Sequence, residues 1–365
     1  MPRQRLIPIA KKKLGPKAFA EPSWSPFGPF GGGGGTQRLT RRVSHGMETA
    51  QSDIQLHEAN DVARVISELP SAAALGPHYH ESTMPELPEV HALAVELESR
   101  LAGRRVDRLD VLAFHALKTF DPPVSVLAGQ TVQQVRRHGK FLDVLMGQLH
   151  LTIHLSLAGW IRWRDRAPSG PPSRRSPIAA RLVLDDGSGV DITEAGTRKA
   201  LALHIVTNPV QVPGIAKLGP DALKIDEDEF AERLRSAERG RIKNVLRNQS
   251  VIAGIGNAYS DEILHAAKMS PFQPADMGHD DVVRLYAAMR QILTEAVTRA
   301  EGHSASELKR EKKTALRIHG RFGEPCPVCA EPIRQVIYSD SSFQYCPTCQ
   351  NDGKSFSDRG IDRLL

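Results

Sequence analysis

Four cysteines have the spacing that most directly specifies a chemistry. They fall as Cys326-Pro-Val-Cys329 and Cys346-Pro-Thr-Cys349, two C-x2-C pairs with sixteen residues between them. Each pair fits one tight turn, and together they supply the four thiolates of a tetrahedral Zn²⁺ site. Four thiolates leave no open coordination position, so the expected ion is structural, one per chain. A module of roughly thirty residues cannot bury a useful core, and a metal takes that place. The chain shows no secretory signal, which favours metal ligands over disulfides.

A second constellation is Ala253-Gly254-Ile255-Gly256-Asn257, continuing to Glu262. Gly254 and Gly256 permit close backbone approach. N–H groups at the start of the following helix suit a phosphate, and Asn257 adds a side-chain donor. Lys243, on the preceding helix, either reaches the same phosphate or is a solvated surface lysine. By itself the turn also fits ordinary helix-turn-helix packing.

The elements that position these groups follow from periodicity. Val90, Leu93, Ala94, Leu97 and Leu101 recur at helical spacing, with Pro88 in the first turn and Gly103 at the end. Alternating segments follow at 104–112, 140–146, 151–160, 180–193 and 201–206, and the Asp-Asp-Gly-Ser-Gly run at 185–189 marks a hairpin. Residues 84–210 therefore read as one helix plus a β-sandwich. From 214 to 317 helical patterns dominate, in four helices; Val282, Leu285, Met289, Ile292 and Ala296 give the last its apolar face. Residues 319–353 form the cysteine module and 354–365 a tail. The expected fold class is α+β and multidomain.

Residues 1–83 have a different texture. The first 46 are basic and rich in Pro and Gly, and 47–83 turn acidic. They read as a disordered or mis-assigned N-terminal extension, with an organelle-targeting segment or a DNA-binding arm as the functional alternatives. Across all 365 residues the net charge is +6 and the pI about 9.2, which permits a nucleic-acid partner without requiring one. At 5% aromatic content a broad base-stacking surface is not expected. No apolar run reaches the ~18 residues of a membrane span, so a soluble protein is expected.

Four motifs in order carry a resemblance: Met-Pro-Glu-Leu-Pro-Glu at 84–89, Arg-Arg-His-Gly-Lys-Phe-Leu at 136–142, Gly-Ile-Gly-Asn-x-Tyr-x-x-Glu at 254–262, and His-Gly-Arg-x-Gly-x-Pro-Cys-x-x-Cys from His319. Together they resemble the formamidopyrimidine-DNA glycosylase and endonuclease VIII family of base-excision repair enzymes, over 84–352 and not over 1–83. The resemblance implies a β-sandwich domain, a helix-two-turn-helix domain and a zinc finger, with damaged double-stranded DNA in the cleft. It also implies a monomer with no membrane partner, cytoplasmic or on the nucleoid in a bacterial cell.

The reaction so implied needs an amine that attacks C1′ and forms a Schiff base. A terminal proline is a secondary amine, and terminal amines titrate near pH ~8, so a useful fraction is neutral at neutral pH. By resemblance Pro85 is the nucleophile, Glu86 the acid/base at the opening sugar, and Glu89 a supporting carboxylate. Taken alone, Pro85 and Glu86 also fit an ordinary helix start. Lys140 matches the hairpin lysine that contacts the lesion phosphate and donates a proton in β-elimination. His154 matches a position near the flipped nucleotide. Asn257 and Lys243 match the phosphate-gripping pair, and Leu157 the apolar wedge that fills the gap left by a flipped base.

The sequence departs from the family in three places. Thr193–Leu203 replaces the arginine- and phenylalanine-bearing loop that completes the wedge, leaving Arg198 or Lys199 as substitutes. Ser341 stands where the finger hairpin usually carries a phosphate-clamping arginine, leaving Arg334 as the alternative. The segment before His319 is too short for a long loop capping 8-oxoguanine. Two other functions compete: a damage-binding module without chemistry, if Pro85 is not N-terminal, and a zinc-ribbon protein, which leaves 84–142 unexplained.

Overall fold

The computed structural model describes residues 84–170, 173, 176–237, 240–338 and 341–356. The extension expected at 1–83 lies outside them, as does most of the C-terminal tail. The first helix, α1 (Leu87–Leu101), has Pro88 in its first turn and an N-terminus closed by Glu89, whose Oε2 accepts the Glu86 N–H at 2.8 Å. Its Val90, Leu93, Leu97 and Leu101 face the sandwich core. It ends at Gly103, whose φ of +76° suits a residue without Cβ.

Two four-stranded antiparallel sheets follow. One has the order β1-β6-β7-β5, from β1 (Val106–Val111), β5 (Gly159–Arg164), β6 (Ile178–Leu184) and β7 (Gly189–Glu194). The other has the order β2-β3-β4-β8, from β2 (Val132–His138), β3 (Phe141–Met146), β4 (Leu149–His154) and β8 (Ala202–Val206). Alternate residues Leu142, Val144, Leu151, Ile153, Leu203 and Ile205 enter the shared core, as the two-residue period of a strand requires. The hairpin at 185–189 forms as expected, with Leu184 N–H donating to Ser188 O.

The short α2 (Pro213–Ala216) packs its Ile215 with Phe141, Val206 and Val212, whereas the second apolar cluster belongs to the helices α3 (Glu227–Ser236), α4 (Ile242–Arg247), α5 (Asn257–Ala266) and α6 (His279–Ala300). Leu87 of α1 joins this cluster rather than the sandwich core, so the start of α1 is anchored in the helical layer. The chain then forms α7 (Ala305–Ala315), the finger hairpin β9 (Arg334–Ile337) and β10 (Ser342–Tyr345), and the short α8 (Pro347–Gln350).

Three elements differ from the sequence reading. Strand β2 was not among the alternating segments, because its exposed positions carry Gln and Arg. The segment 151–160 is two strands broken at Ser156, whose φ is +52°. Helix α7 was not foreseen although Ser304-x-x-Glu307 is a capping box: Ser304 N–H donates to Glu307 Oε2 at 2.9 Å.

Candidate active site

The site is built where α1 begins against the N-terminus of α5. Glu86 is buried, and its carboxylate accepts N–H bonds from Gly256 at 2.6 Å and Ala258 at 2.8 Å. It thus occupies the positive end of a helix, where a carboxylate is favoured. The Gly254 carbonyl accepts the Leu87 N–H at 3.0 Å. Both glycines of the turn are needed for this approach. A Cβ on Gly254 would lie 2.4 Å from Leu87 Cδ1, and one on Gly256 would lie 2.3 Å from the Glu86 carboxyl carbon. Gln249 holds the turn from behind, donating to Ile255 O and accepting from Gly254 N–H.

Glu89 is buried beside Glu86 and accepts from the Tyr259 hydroxyl at 2.8 Å. Lys312 of α7 completes the group, 2.9 Å from Glu89 Oε2 and 3.7 Å from Glu86 Oε1. Burial pushes the Glu86 carboxyl up, but Lys312, Lys140 and the Ala258 N–H together hold it below the usual carboxylate range. Burial raises Glu89 despite Lys312 and the Glu86 N–H, and the Glu86 charge adds to the rise. Burial and the Glu89 carboxylate also raise Tyr259 well above its ordinary value, so its hydroxyl stays a donor.

Lys140 sits at the tip of the β2–β3 hairpin. Arg137 fixes the tip, donating to Gly139 O and pairing with Asp221 at 2.8 Å. Burial lowers Lys140 to about 8, with Glu86 opposing and Lys312 and Arg247 adding to the fall. Its ammonium makes no hydrogen bond among the described residues. His154, at the end of β4, stacks on Phe141 with ring centroids 4.4 Å apart. Burial, Lys140 and His204 push it down to about 4, so it is neutral at neutral pH and offers hydrogen bonds rather than charge.

Leu157 is not a buried strand leucine. It lies half-buried in the turn after β4, next to the exposed loop 195–199, and Ala195 N–H donates to Ala158 O. Glu194 staples the far end of that loop by accepting from Ala200 and Leu201 N–H. Lys199 is tied back to Glu194 O at 2.8 Å, whereas Arg198 is exposed and makes no hydrogen bond among the described residues.

The expected phosphate pair is placed differently from a surface grip. Asn257 opens α5 and is buried. Lys243 is also fully buried; its ammonium contacts Asp261 Oδ1 at 2.5 Å and Ser342 O at 2.7 Å. It is therefore not a solvated surface lysine, and its charge joins α4, α5 and β10. His319 Nδ1 meets the other Asp261 oxygen at 2.8 Å. Beside Lys243, a cleft of about 440 Å³ is lined by Arg241, Asn244, Arg247, Asn248 and Ser341. Arg241 crosses to the Tyr338 hydroxyl at 2.6 Å.

The four cysteine ligand atoms all lie within 4.8 Å of one another. Individual Sγ separations of 3.3, 3.5 and 3.9 Å are close to the edge of a ZnS4 tetrahedron, about 3.8 Å for Zn–S bonds of ~2.3 Å. They far exceed a disulfide bond. His265, near the end of α5, places Nε2 3.3 Å from Cys326 Sγ. One ten-residue helix therefore seats Glu86 at its start and touches the cysteine cluster at its end.

Sequence reasoning missed Lys312, Tyr259, Arg247 and Glu194. Lys312 lies in Lys-Arg-Glu-Lys-Lys, a run that reads as solvated helix surface, and nothing local distinguishes it. Tyr259 was visible only as the tyrosine of the glycine-turn motif.

Comparison with known proteins agrees with this architecture. The formamidopyrimidine-DNA glycosylase N-terminal domain matches residues 84–203, and that family's H2TH domain matches 218–307. A formamidopyrimidine-DNA glycosylase of Symbiobacterium thermophilum is 32% identical over 73% of this chain and 89% of its own length. An uncharacterized glycosylase-like protein of Mycobacterium tuberculosis is 52% identical over 40% of this chain and 94% of its own. Among solved structures, Lactococcus lactis Fpg in complex with abasic-site DNA superposes with a TM-score of 0.64 at 26% identity, covering 73% of this chain and 99% of that one. The chain belongs to the formamidopyrimidine-DNA glycosylase family.

Proposed function

We propose that the chain is a bifunctional DNA glycosylase and abasic-site lyase acting on oxidised or ring-opened bases in double-stranded DNA. The Pro85 nitrogen attacks C1′ and the glycosidic bond breaks, releasing the base. Glu86, ionised at rest, takes the proton that the attacking amine releases and delivers it to O4′ as the sugar opens to the iminium, while the departing base takes its proton from water. Removal of a C2′ proton then expels the 3′ phosphate by β-elimination, with Lys140 at the lesion phosphate, and water hydrolyses the iminium to free the enzyme. One observation supports this most directly: Glu86, adjacent in sequence to Pro85, is held by Gly256 and Ala258 N–H groups with the Lys140 charge acting on it.

The chemistry sets a condition. While Met84 remains attached, the Pro85 nitrogen is an amide delocalised into its carbonyl and cannot attack. The activity therefore belongs to a form that begins at Pro85, and a chain retaining Met84 would bind damage without cutting. Asn257, His154 and the cleft of Arg241 and Arg247 hold backbone phosphates, Arg247 and Arg241 supplying the cations that Ser341 does not. Leu157 with Arg198 fills the gap left by the flipped base. The four cysteines would hold one structural Zn²⁺ and so tie the two turns of the finger together.

Borohydride trapping on duplexes that each carry one defined lesion tests the reading. The form beginning at Pro85 should give a covalent adduct, and the same form with its terminal nitrogen acetylated should lose it. Undiminished trapping by the acetylated form, or no adduct with any lesion, would overturn the assignment.

A further inference from the structure

Helix α7 delivers a cation to the innermost part of the site. Lys312 is 2% exposed, and its ammonium donates to the Met84 carbonyl at 2.8 Å and to Glu89 at 2.9 Å, with Glu86 at 3.7 Å. The Tyr259 ring centroid lies 5.0 Å away. A buried ammonium is costly unless its charge is matched. One carboxylate would serve a purely structural lysine, yet this one touches Glu89, approaches Glu86 and grips the carbonyl whose carbon bears the Pro85 nitrogen.

We propose that Lys312 is a positioning residue of the reaction: its ammonium sets the spacing of Glu86 and Glu89 and, facing the Pro85 nitrogen, keeps that nitrogen neutral and nucleophilic. This rests on the reading of Pro85 as nucleophile. In the form that begins at Pro85 the Met84 carbonyl is gone, and the ammonium that held it faces the secondary amine. A fixed positive charge beside an amine in a buried site disfavours its protonation. The opposing groups are Glu86 and Glu89 at the start of α1, which favour protonation. Lys140 from the β2–β3 tip and Arg247 from α4 act with Lys312. His319 and Glu311 act from further out, and Tyr259 of α5 presents a neutral hydroxyl. Without Lys312, the two buried carboxylates lose the cation they share, and the amine takes up a proton at a higher pH.

The form beginning at Pro85 is the one to test. Both apolar clusters that build the site are made of residues from 87 onward, and solved relatives are covered end to end by 73% of this chain. Adduct formation with an abasic-site duplex is followed from about pH 5.5 to 9.5 for the parent, Lys312→Met and Lys312→Arg. The Met variant should have its acid limb displaced upward by about one unit, giving roughly tenfold less adduct near pH 6.5 and convergence with the parent above pH 9. The Arg variant keeps the charge and should retain the parent limb. A Met variant that loses the same factor at every pH, or an unmoved limb, overturns the proposal.

Should Lys312→Met fail to fold, NMR titration of the labelled Pro85 nitrogen in the parent decides the matter. A value below the ~8 of an ordinary terminal amine is expected, and one at or above it overturns the proposal. The two failures are separable. Full trapping by the form with its terminal nitrogen acetylated sinks the nucleophile itself, whereas its loss with an unmoved Lys312→Met limb sinks only the lysine's role.

Discussion

The carboxylate of Glu86 accepts the backbone N–H of Gly256 at 2.6 Å, across 170 residues of sequence. Gly256 has an extended backbone that any residue adopts, so the glycine serves close approach and not an unusual φ. A single added methyl would strike the carboxyl group. Gly256→Ala should therefore displace Glu86 and lower single-turnover cleavage by about a hundredfold, the scale of a misplacement of ~1 Å. Binding to an uncleavable abasic analogue should fall far less, and a parallel loss in both assays would contradict this.

Burial pushes Lys140 down to about 8. Only its protonated form attracts a phosphate, and a bound phosphate raises its proton affinity. Affinity for an abasic-analogue duplex should hold steady below pH 8 and then weaken, by up to about tenfold per unit. Lys140→Arg stays charged and should flatten the profile in that range. Fluorescence anisotropy at fixed salt makes the comparison.

The loop beside Leu157 offers two cations of unequal freedom. Lys199 is tied to Glu194 O, and Arg198 is exposed. Arg198→Ala should weaken duplex binding several-fold and reduce the slope of log affinity against log salt by about one. Lys199→Ala should leave that slope unchanged. Equal slopes for both variants would remove Arg198 from the DNA contact.

The cysteine cluster predicts one zinc per chain by elemental analysis. Chelation should lower the melting temperature and abolish duplex binding together, because a closed thiolate site contributes folding energy directly. His265 against Cys326 Sγ carries the effect into α5. Cys346→Ser should reproduce the chelated behaviour, and a variant that binds duplex normally without zinc would show the metal to be dispensable.

Much of the architecture is legible in the sequence. The apolar spacing of α1 and α6, the 185–189 turn and the cysteine pairs are local patterns, and local patterns survive in a one-dimensional reading. Strand β2 was not legible because its outward Gln and Arg residues hide the alternation, and pairing with β3 decides it. Helix α7 was announced only by its capping box.

Residue types alone determined which chemistries were available: a carboxylate at Glu86, a lysine at Lys140, four thiolates, and an amine at Pro85 only where that residue begins the chain. Tertiary structure decided which groups meet. It set Glu86 on the start of a helix that begins at Asn257, brought Lys312 223 residues along the chain to Glu89, and turned Lys243 inward to Asp261. Charged side chains in a lysine-rich run look alike in sequence. Burial beside an opposite charge separates them, and only the packing of distant segments creates that burial.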